Sequence, residues 1–306
     1  MRNQVRAKQV AEFRHDRIEL VVANEAERGT LCVKAGDSLM LLSGDDLSLI
    51  HEWRVGAEPS LLTDGWGAHG ASGAGPVALL STPAAVRLHD SDGSIRWSFV
   101  HPSWVGIGTG CAWFGPNDQP YAVVPSGDGA VCRIVALDLA TGAELADHRI
   151  EPYDPAGMTP VHQPEGWVGV AESEGENASR AWWVRPSESG IEVLSAPWDD
   201  EHLSDVDASG ELILTTALYR GPVRLRSFPS LDLQREIRVK DEDFVFGACF
   251  VHPYIVAHLY NRAVTVAIDE EDRVEELEVD DGWIVPAAAG SWVSVRQDTL
   301  RLWSLV

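Results

Sequence analysis

Seven aromatic residues recur along this chain at intervals of roughly forty positions: Phe13, Trp66, Trp104, Tyr153, Trp198, Phe244 and Trp283. Six have an acid within three positions: Asp16, Asp64, Asp154, Asp199 with Asp200, Asp243 and Asp281. The tripeptide Asp-Gly-Trp occurs at both 64–66 and 281–283. An aromatic face attracts a cation by about 0.5–2 kcal/mol, and a nearby carboxylate adds charge. The pattern suits a cationic ligand held by Trp66, Asp64, Trp104, Tyr153, Trp198, Asp199, Trp283 and Asp281. It also suits aromatics that fill gaps between packed sheets, because the chain has twelve tryptophans to bury. A second set is His69, His162 and His202 with Asp205 and Asp207. A histidine facing a carboxylate can do general acid–base work. The same groups can instead knit neighbouring strands together by hydrogen bonds.

Other chemistry is sparse. There is no G-x-S-x-G, no H-E-x-x-H and no phosphate-binding loop. Gly106-Ile107-Gly108-Thr109-Gly110 has glycine spacing but no helix after it, so it reads as a tight inner strand. Cys32, Cys111, Cys132 and Cys249 lack close spacing and read as small buried hydrophobes. Neither a metal site, a disulfide framework nor a cofactor is expected.

The elements that must position these residues repeat. Seven turn-and-strand units read in register: 22–35, 71–81, 115–126, 163–173, 207–217, 251–260 and 288–297. Third strands follow at 38–43, 84–90, 132–138, 180–186, 222–228, 263–269 and 299–305. Fourth strands follow at 48–55, 94–100, 143–150, 191–198, 233–239 and 273–279. All are short, rich in β-branched or aromatic residues, and bounded by turn residues. Seven repeats in 306 residues give about 44 per unit, the size of a four-stranded propeller blade. The seventh unit lacks a fourth strand, and residues 4–13 belong to no other unit. Pairing them with 299–305 closes the ring and removes an open edge. The expected fold is all-β, a seven-bladed β-propeller spanning 1–306 as one domain. Segments 56–66 and 151–158 are expected loops.

Three short sequences resemble the third-strand ending V-R-L-W-D of WD40 repeats: Val86-Arg87-Leu88-His89-Asp90, Val223-Arg224-Leu225-Arg226-Ser227 and Leu300-Arg301-Leu302-Trp303-Ser304. Ala136-Leu137-Asp138-Leu139-Ala140-Thr141-Gly142 resembles the A-x-D-x-x-T-G turn of quinoprotein-type propellers. In that family a tryptophan docks one blade on the next, and Trp97, four after Gly93, stands in its place. The chain shows no adjacent cysteine pair, so the resemblance implies architecture and not quinone catalysis.

The net charge is -23. That field disfavours nucleic acid and anionic membranes, whose recognition rests on basic contacts, and favours basic partners. No apolar run is long enough to span a membrane as a helix. The first 22 residues lack an apolar signal-peptide core, so a cytoplasmic location is expected. Function is expected to be a non-catalytic interaction module holding a basic protein or peptide, or a small cationic ligand, on an acidic and aromatic face. The alternatives are a small-molecule enzyme (lyase, hydrolase or cyclase) at the channel mouth, and a binder that stacks a sugar or quaternary amine on tryptophans.

Overall fold

Short apolar strands separated by tight turns cannot bury both faces alone, so they assemble in sheets that stack on one another. The computed structural model describes residues 5–16, 18, 20–24, 29–54, 67–72, 75–104, 110–127, 131–152, 158–172, 179–188, 190–217, 221–238, 245–259, 262–268, 274–277, 279, 283–287, 290–296 and 298–306. Strand β1 (Ala7–Arg14) precedes the first blade, which is β2 (Leu20–Asn24), β3 (Thr30–Ala35), β4 (Ser38–Ser43) and β5 (Leu49–Arg54). The second is β6 (Gly67–Ser72), β7 (Gly75–Ser81), β8 (Ala85–His89) and β9 (Ile95–Val100). The third is β10 (Ala112–Phe114), β11 (Pro120–Pro125), β12 (Cys132–Leu137) and β13 (Glu144–Ile150). The fourth is β14 (Met158–His162), β15 (Val168–Glu172), β16 (Ala181–Ser187) and β17 (Gly190–Ser195). The fifth is β18 (Glu201–Val206), β19 (Leu212–Ala217), β20 (Val223–Ser227) and β21 (Leu233–Ile237). The sixth is β22 (Val245–Val251), β23 (Tyr254–Leu259), β24 (Arg262–Ala267) and β25 (Val274–Leu277). The seventh is β26 (Trp283–Pro286), β27 (Ser291–Arg296) and β28 (Thr299–Leu305), with β1 as its outer strand. The seven sheets form a ring, a seven-bladed β-propeller closed by its N- and C-terminal strands.

The closure is antiparallel, from Ala7 opposite Leu305 to Arg14 opposite Thr299, with a bulge between Gln9 and Ala11. Arg6 and Val306 extend it by exchanging backbone hydrogen bonds. The Val5 amide donates to Glu275 Oε2 at 2.9 Å, tying the closing segment to the sixth blade. Second and third strands are buried along nearly their whole length, as β3, β4 and β15 show. Blades cover both of their faces, which explains runs such as Leu39-Met40-Leu41-Leu42. Outer strands such as β13 are mostly exposed.

Neighbouring blades dock through one recurring position. In each of the first five blades the hairpin between the third and fourth strands contains a residue with left-handed φ: Leu47, Gly93, Gly142, Gly190 and Leu231. The residue four further on reaches the next blade. His51 Nε2 lies 2.9 Å from Ser91 O, Trp97 donates to Leu139 O at 2.9 Å, and Arg235 donates to Ile268 O. Ala146 lies against Gly190, and Leu194 packs in the cluster that holds Leu231. The Asp138 carboxylate shapes one of these turns, accepting from the Thr141 amide at 2.8 Å and from the Thr141 hydroxyl at 2.6 Å.

Gly142 has φ +71, and a Cβ there would stand 2.7 Å from the Trp97 ring. Gly142→Ala is expected to cost about 2–4 kcal/mol, combining left-handed strain with the clash. Gly36→Ala is the control, since Gly36 has φ +60 and open space around it. It should cost only the backbone part, about 1–2 kcal/mol. Equal losses in urea melts of the two variants would show that Trp97 docking contributes nothing.

Two boundaries differ from the sequence reading. The inner strand of the third blade is Ala112–Phe114, while 106–109 lie outside the described residues and Gly110 precedes the strand. The fourth strand of the fourth blade ends at Ser195 and not at Trp198, because Pro197 has no N–H to continue a ladder. All four cysteines are free and buried. Burial pushes the Cys32 thiol up to about 12 and the Cys249 thiol well above its ordinary value.

Candidate functional site

Strand polarity sorts the connections into two faces. Strands alternate in direction, so the crossover from an outer strand to the next blade and the turn between second and third strands share one end. We call this the crossover face. The docking hairpins described above lie at the other end. Of the aromatic and acid pairs, Phe13 with Asp16 and Trp198 with Asp199 and Asp200 lie among the described residues, and both fall on or beside a crossover.

Among the described residues, the crossover face carries a groove of about 520 Å³ between the outer strands of the third and fourth blades. Its walls are His148–Glu151 at the end of β13 and Ser195–Asp199 beyond β17, with Arg180–Trp182 at the start of β16 between them. Trp182 and Trp198 are buried beneath it, 5 % and 6 % exposed. The rim is charged on both sides. Arg149 lies 3.9 Å from the Glu151 carboxylate, and Arg180 donates to the Glu151 carbonyl. Asp199 is exposed, and its carbonyl accepts from the Ser179 amide at 2.8 Å.

A buried ionic cluster stands behind Trp198. Glu201, 1 % exposed, accepts from Arg226 Nε at 2.8 Å and again from Arg226 Nη2, so the pair is bidentate. Arg224 Nη1 donates to the same carboxylate at 2.7 Å, and the Thr215 hydroxyl donates as well. Burial pushes the Glu201 carboxyl upward. Hydrogen bonds from Arg226 and Thr215, with the two guanidinium charges, outweigh that and hold it below its ordinary range. The Arg226 guanidinium also lies 4.5 Å from the centroid of the Trp198 ring. Thus one cation–π contact of Trp198 is made within the chain.

Placement of the other candidates is mixed. Trp104 is buried in the cluster of the second to fourth blades, its ring tight against Gly110. Trp198 and Asp199 come together at the groove. Asp64, Trp66, Tyr153 and Asp281 lie outside the described residues. The backbone of Trp283 opens β26, and those of His69 and His162 lie on the inner strands β6 and β14. His202 and Asp205 are on β18. His202 Nδ1 stands 3.0 Å from Glu172 O of the fourth blade, and burial lowers its pKa. Asp205 accepts from the Val206 amide and from the Phe250 amide of the sixth blade, both at 2.8 Å. These two residues therefore tie the fifth blade to its neighbours on either side. Both Asp205 oxygens are engaged by backbone N–H groups.

The sequence reading missed Glu201, Arg224 and Arg226. Two signals pointed to them: the acidic triplet Asp199-Asp200-Glu201 at a strand start, and the arginines two apart in Val223-Arg224-Leu225-Arg226, which share one face of a strand.

No protein-family model matches the chain, and no curated protein matches it. Solved structures do. BamB from Moraxella catarrhalis is 13 % identical with a TM-score of 0.59, covering 97 % of this chain and 99 % of its own. The WD40 domain of Neurospora crassa Pan2 is 10 % identical with a TM-score of 0.61, covering 99 % and 97 %. The β-propeller domain of Myceliophteria thermophila Cps50 (Swd1) is 13 % identical with a TM-score of 0.63, covering 98 % and 100 %. The chain, itself a seven-bladed ring, shares the β-propeller fold of these WD40 and BamB structures. At such identities the likeness concerns the fold alone.

Proposed function

We propose that this propeller, acting as a single domain in the cytoplasm, is a non-catalytic interaction module that holds a basic protein or peptide on its crossover face. The carrying observation is the groove of about 520 Å³ that brings Trp198 and Asp199 together with Glu151. The volume lies in the range of binding clefts. The chain's charge of -23 supports a basic partner by long-range attraction. The propeller fold fits an interaction module in general. In this reading Asp64, Trp66, Tyr153, Trp283 and Asp281 complete the face, from sequence positions at or beside the link between one blade and the next, while Trp104, buried against Gly110, takes no part in it.

Exposed carboxylates contribute about 0.2–1 kcal/mol each, so several must act together. Binding of an arginine-rich peptide library should weaken strongly between about 0.05 and 0.5 M salt as screening shortens. The triple variant Asp64→Asn, Asp199→Asn, Asp281→Asn should lose about tenfold in affinity, or some 1.4 kcal/mol. Binding indifferent to salt, or mapping to the hairpin face in hydrogen exchange, would overturn the reading.

A further inference from the structure

The groove is continuous with an open strand edge. In the fourth blade β16 and β17 are antiparallel without a bulge, pairing Trp182 with Ser195 and Ser187 with Gly190. The Ala196 amide donates to Ala181 O at 2.9 Å, which fixes the phase of the ladder. Bonded and non-bonded pairs alternate in antiparallel sheets. Leu194 and Glu192 therefore bond to β16, while the amides and carbonyls of Ile191, Val193 and Ser195 point away from it. Pro186, lacking an N–H, sits opposite Ile191, one of these non-bonded positions.

Strand edges are ordinarily guarded by charge, proline or bulges. β17, Gly-Ile-Glu-Val-Leu-Ser, has a single charged residue, Glu192, and that is paired with Arg185 at 2.7 Å. By contrast β1 has three charged residues and a bulge, and β13 has three charged residues. The unguarded edge runs into the groove at Ser195. There Arg149 and Arg180 stand beside Glu151 and Asp199 in the walls, and the nearly buried Trp182 and Trp198 form the floor.

We propose that the β17 edge accepts an extended segment of the protein partner as a fifth strand of the fourth blade, with one apolar side chain of that segment seated in the groove. Backbone groups supply affinity in this mode, and the pocket for an alternate side chain supplies selection. The inference rests on the interaction-module reading and names the form of the partner's contact.

The probe is a fluorescein-labelled heptapeptide of alternating threonine and valine with a central phenylalanine, flanked by lysines. It should bind wild-type protein and slow hydrogen exchange at the amides of Ile191, Val193 and Ser195 at least tenfold. An analogue N-methylated at alternate amides should not bind. Val193→Pro keeps the ladder bonds to β16 but trims a side chain packed against the core, so it should lower the melting temperature less than Leu194→Pro and weaken the probe at least tenfold. Leu194→Pro removes a ladder bond and should lower the melting temperature. The proposal is overturned if the probe binds Val193→Pro as well as wild type, or if the three amides exchange at unchanged rates in wild type under saturating probe. Should arginine-rich peptides still bind in a salt-dependent way in that case, the interaction module stands and only the edge contact falls.

Discussion

Deletion of residues 1–13 is expected to lower the melting temperature by about 10 °C or more and to broaden the transition of the whole ring. The segment supplies most of β1, the outer strand of the last blade. Removing it exposes the edge of β28, including the backbone partners of Ala7 to Phe13. It also removes Phe13 and Ala11 from the cluster of Leu31, Val33, Leu300 and Leu302 between the seventh and first blades. Ala7 is lost from the cluster of Trp292 and Trp303 between the sixth and seventh. Truncating a buried aromatic alone costs about 3–5 kcal/mol, and a partly buried one somewhat less. Added to the lost ladder bonds, roughly 0.5–1.5 kcal/mol each, the deficit is a large share of the 5–15 kcal/mol that stabilises a domain. At about 2–4 °C per kcal/mol for a chain of this size, a shift of 10 °C is the lower bound. A synthetic peptide of residues 1–16 added in trans should recover part of it. A truncated protein that melts within about 2 °C of the full chain would show that the closing strand contributes no stability.

The blade architecture was legible in the sequence to within a few residues, while the partners across blade interfaces were not. Third strands could be read because both their faces are covered, so apolar residues run nearly unbroken, as in Leu39 to Leu42. Fourth strands could be read from the turns before them, which hold a residue at left-handed φ such as Gly93 or Gly142. The same logic placed β1 against β28, since six fourth strands for seven repeats leave one gap. Side-chain roles were harder. Trp198 meets Arg226, 28 positions on, and Asp205 accepts from Phe250, 45 positions on. The first spans well under one repeat of about 44 residues and the second about one, and periodicity names neither partner. An aromatic beside an acid looks alike whether its ring faces a ligand or, as with Trp198, an arginine of the blade that follows it. The strand of the third blade was misplaced for a local reason: three residues are too few to show an alternation.

Glu201→Gln is expected to destabilise the protein by about 3–5 kcal/mol in urea melts near pH 7, because it removes the charge that offsets two buried arginines. The substitution is nearly isosteric, so packing changes little. The Arg224 and Arg226 side chains are only 18 % and 12 % exposed, and their head groups converge on this carboxylate. Glutamine can accept fewer hydrogen bonds and gives no charge, so Arg226 loses its carboxylate partner while Arg224 keeps Asp200 and Glu236. Trp198 should respond as well, since Arg226 is held over its ring by Glu201. A change in tryptophan fluorescence before unfolding would report that movement, which a general loss of packing would not localise. The pH dependence follows from the depressed carboxyl. The folded protein holds Glu201 below the ordinary 4.5, so its stabilisation is present above that value. It is lost as pH falls through the folded-state value, where the proton enters the native carboxylate. The gap between wild type and Glu201→Gln should therefore be full at pH 6–7 and shrink at acid pH below the ordinary 4.5. A loss under about 1 kcal/mol would mean that solvent and the ion pairs Arg224 already makes with Asp200 and Glu236 suffice to offset the two guanidinium charges. A gap that stays constant through the acid range would mean that the charge on Glu201 does not stabilise the fifth blade.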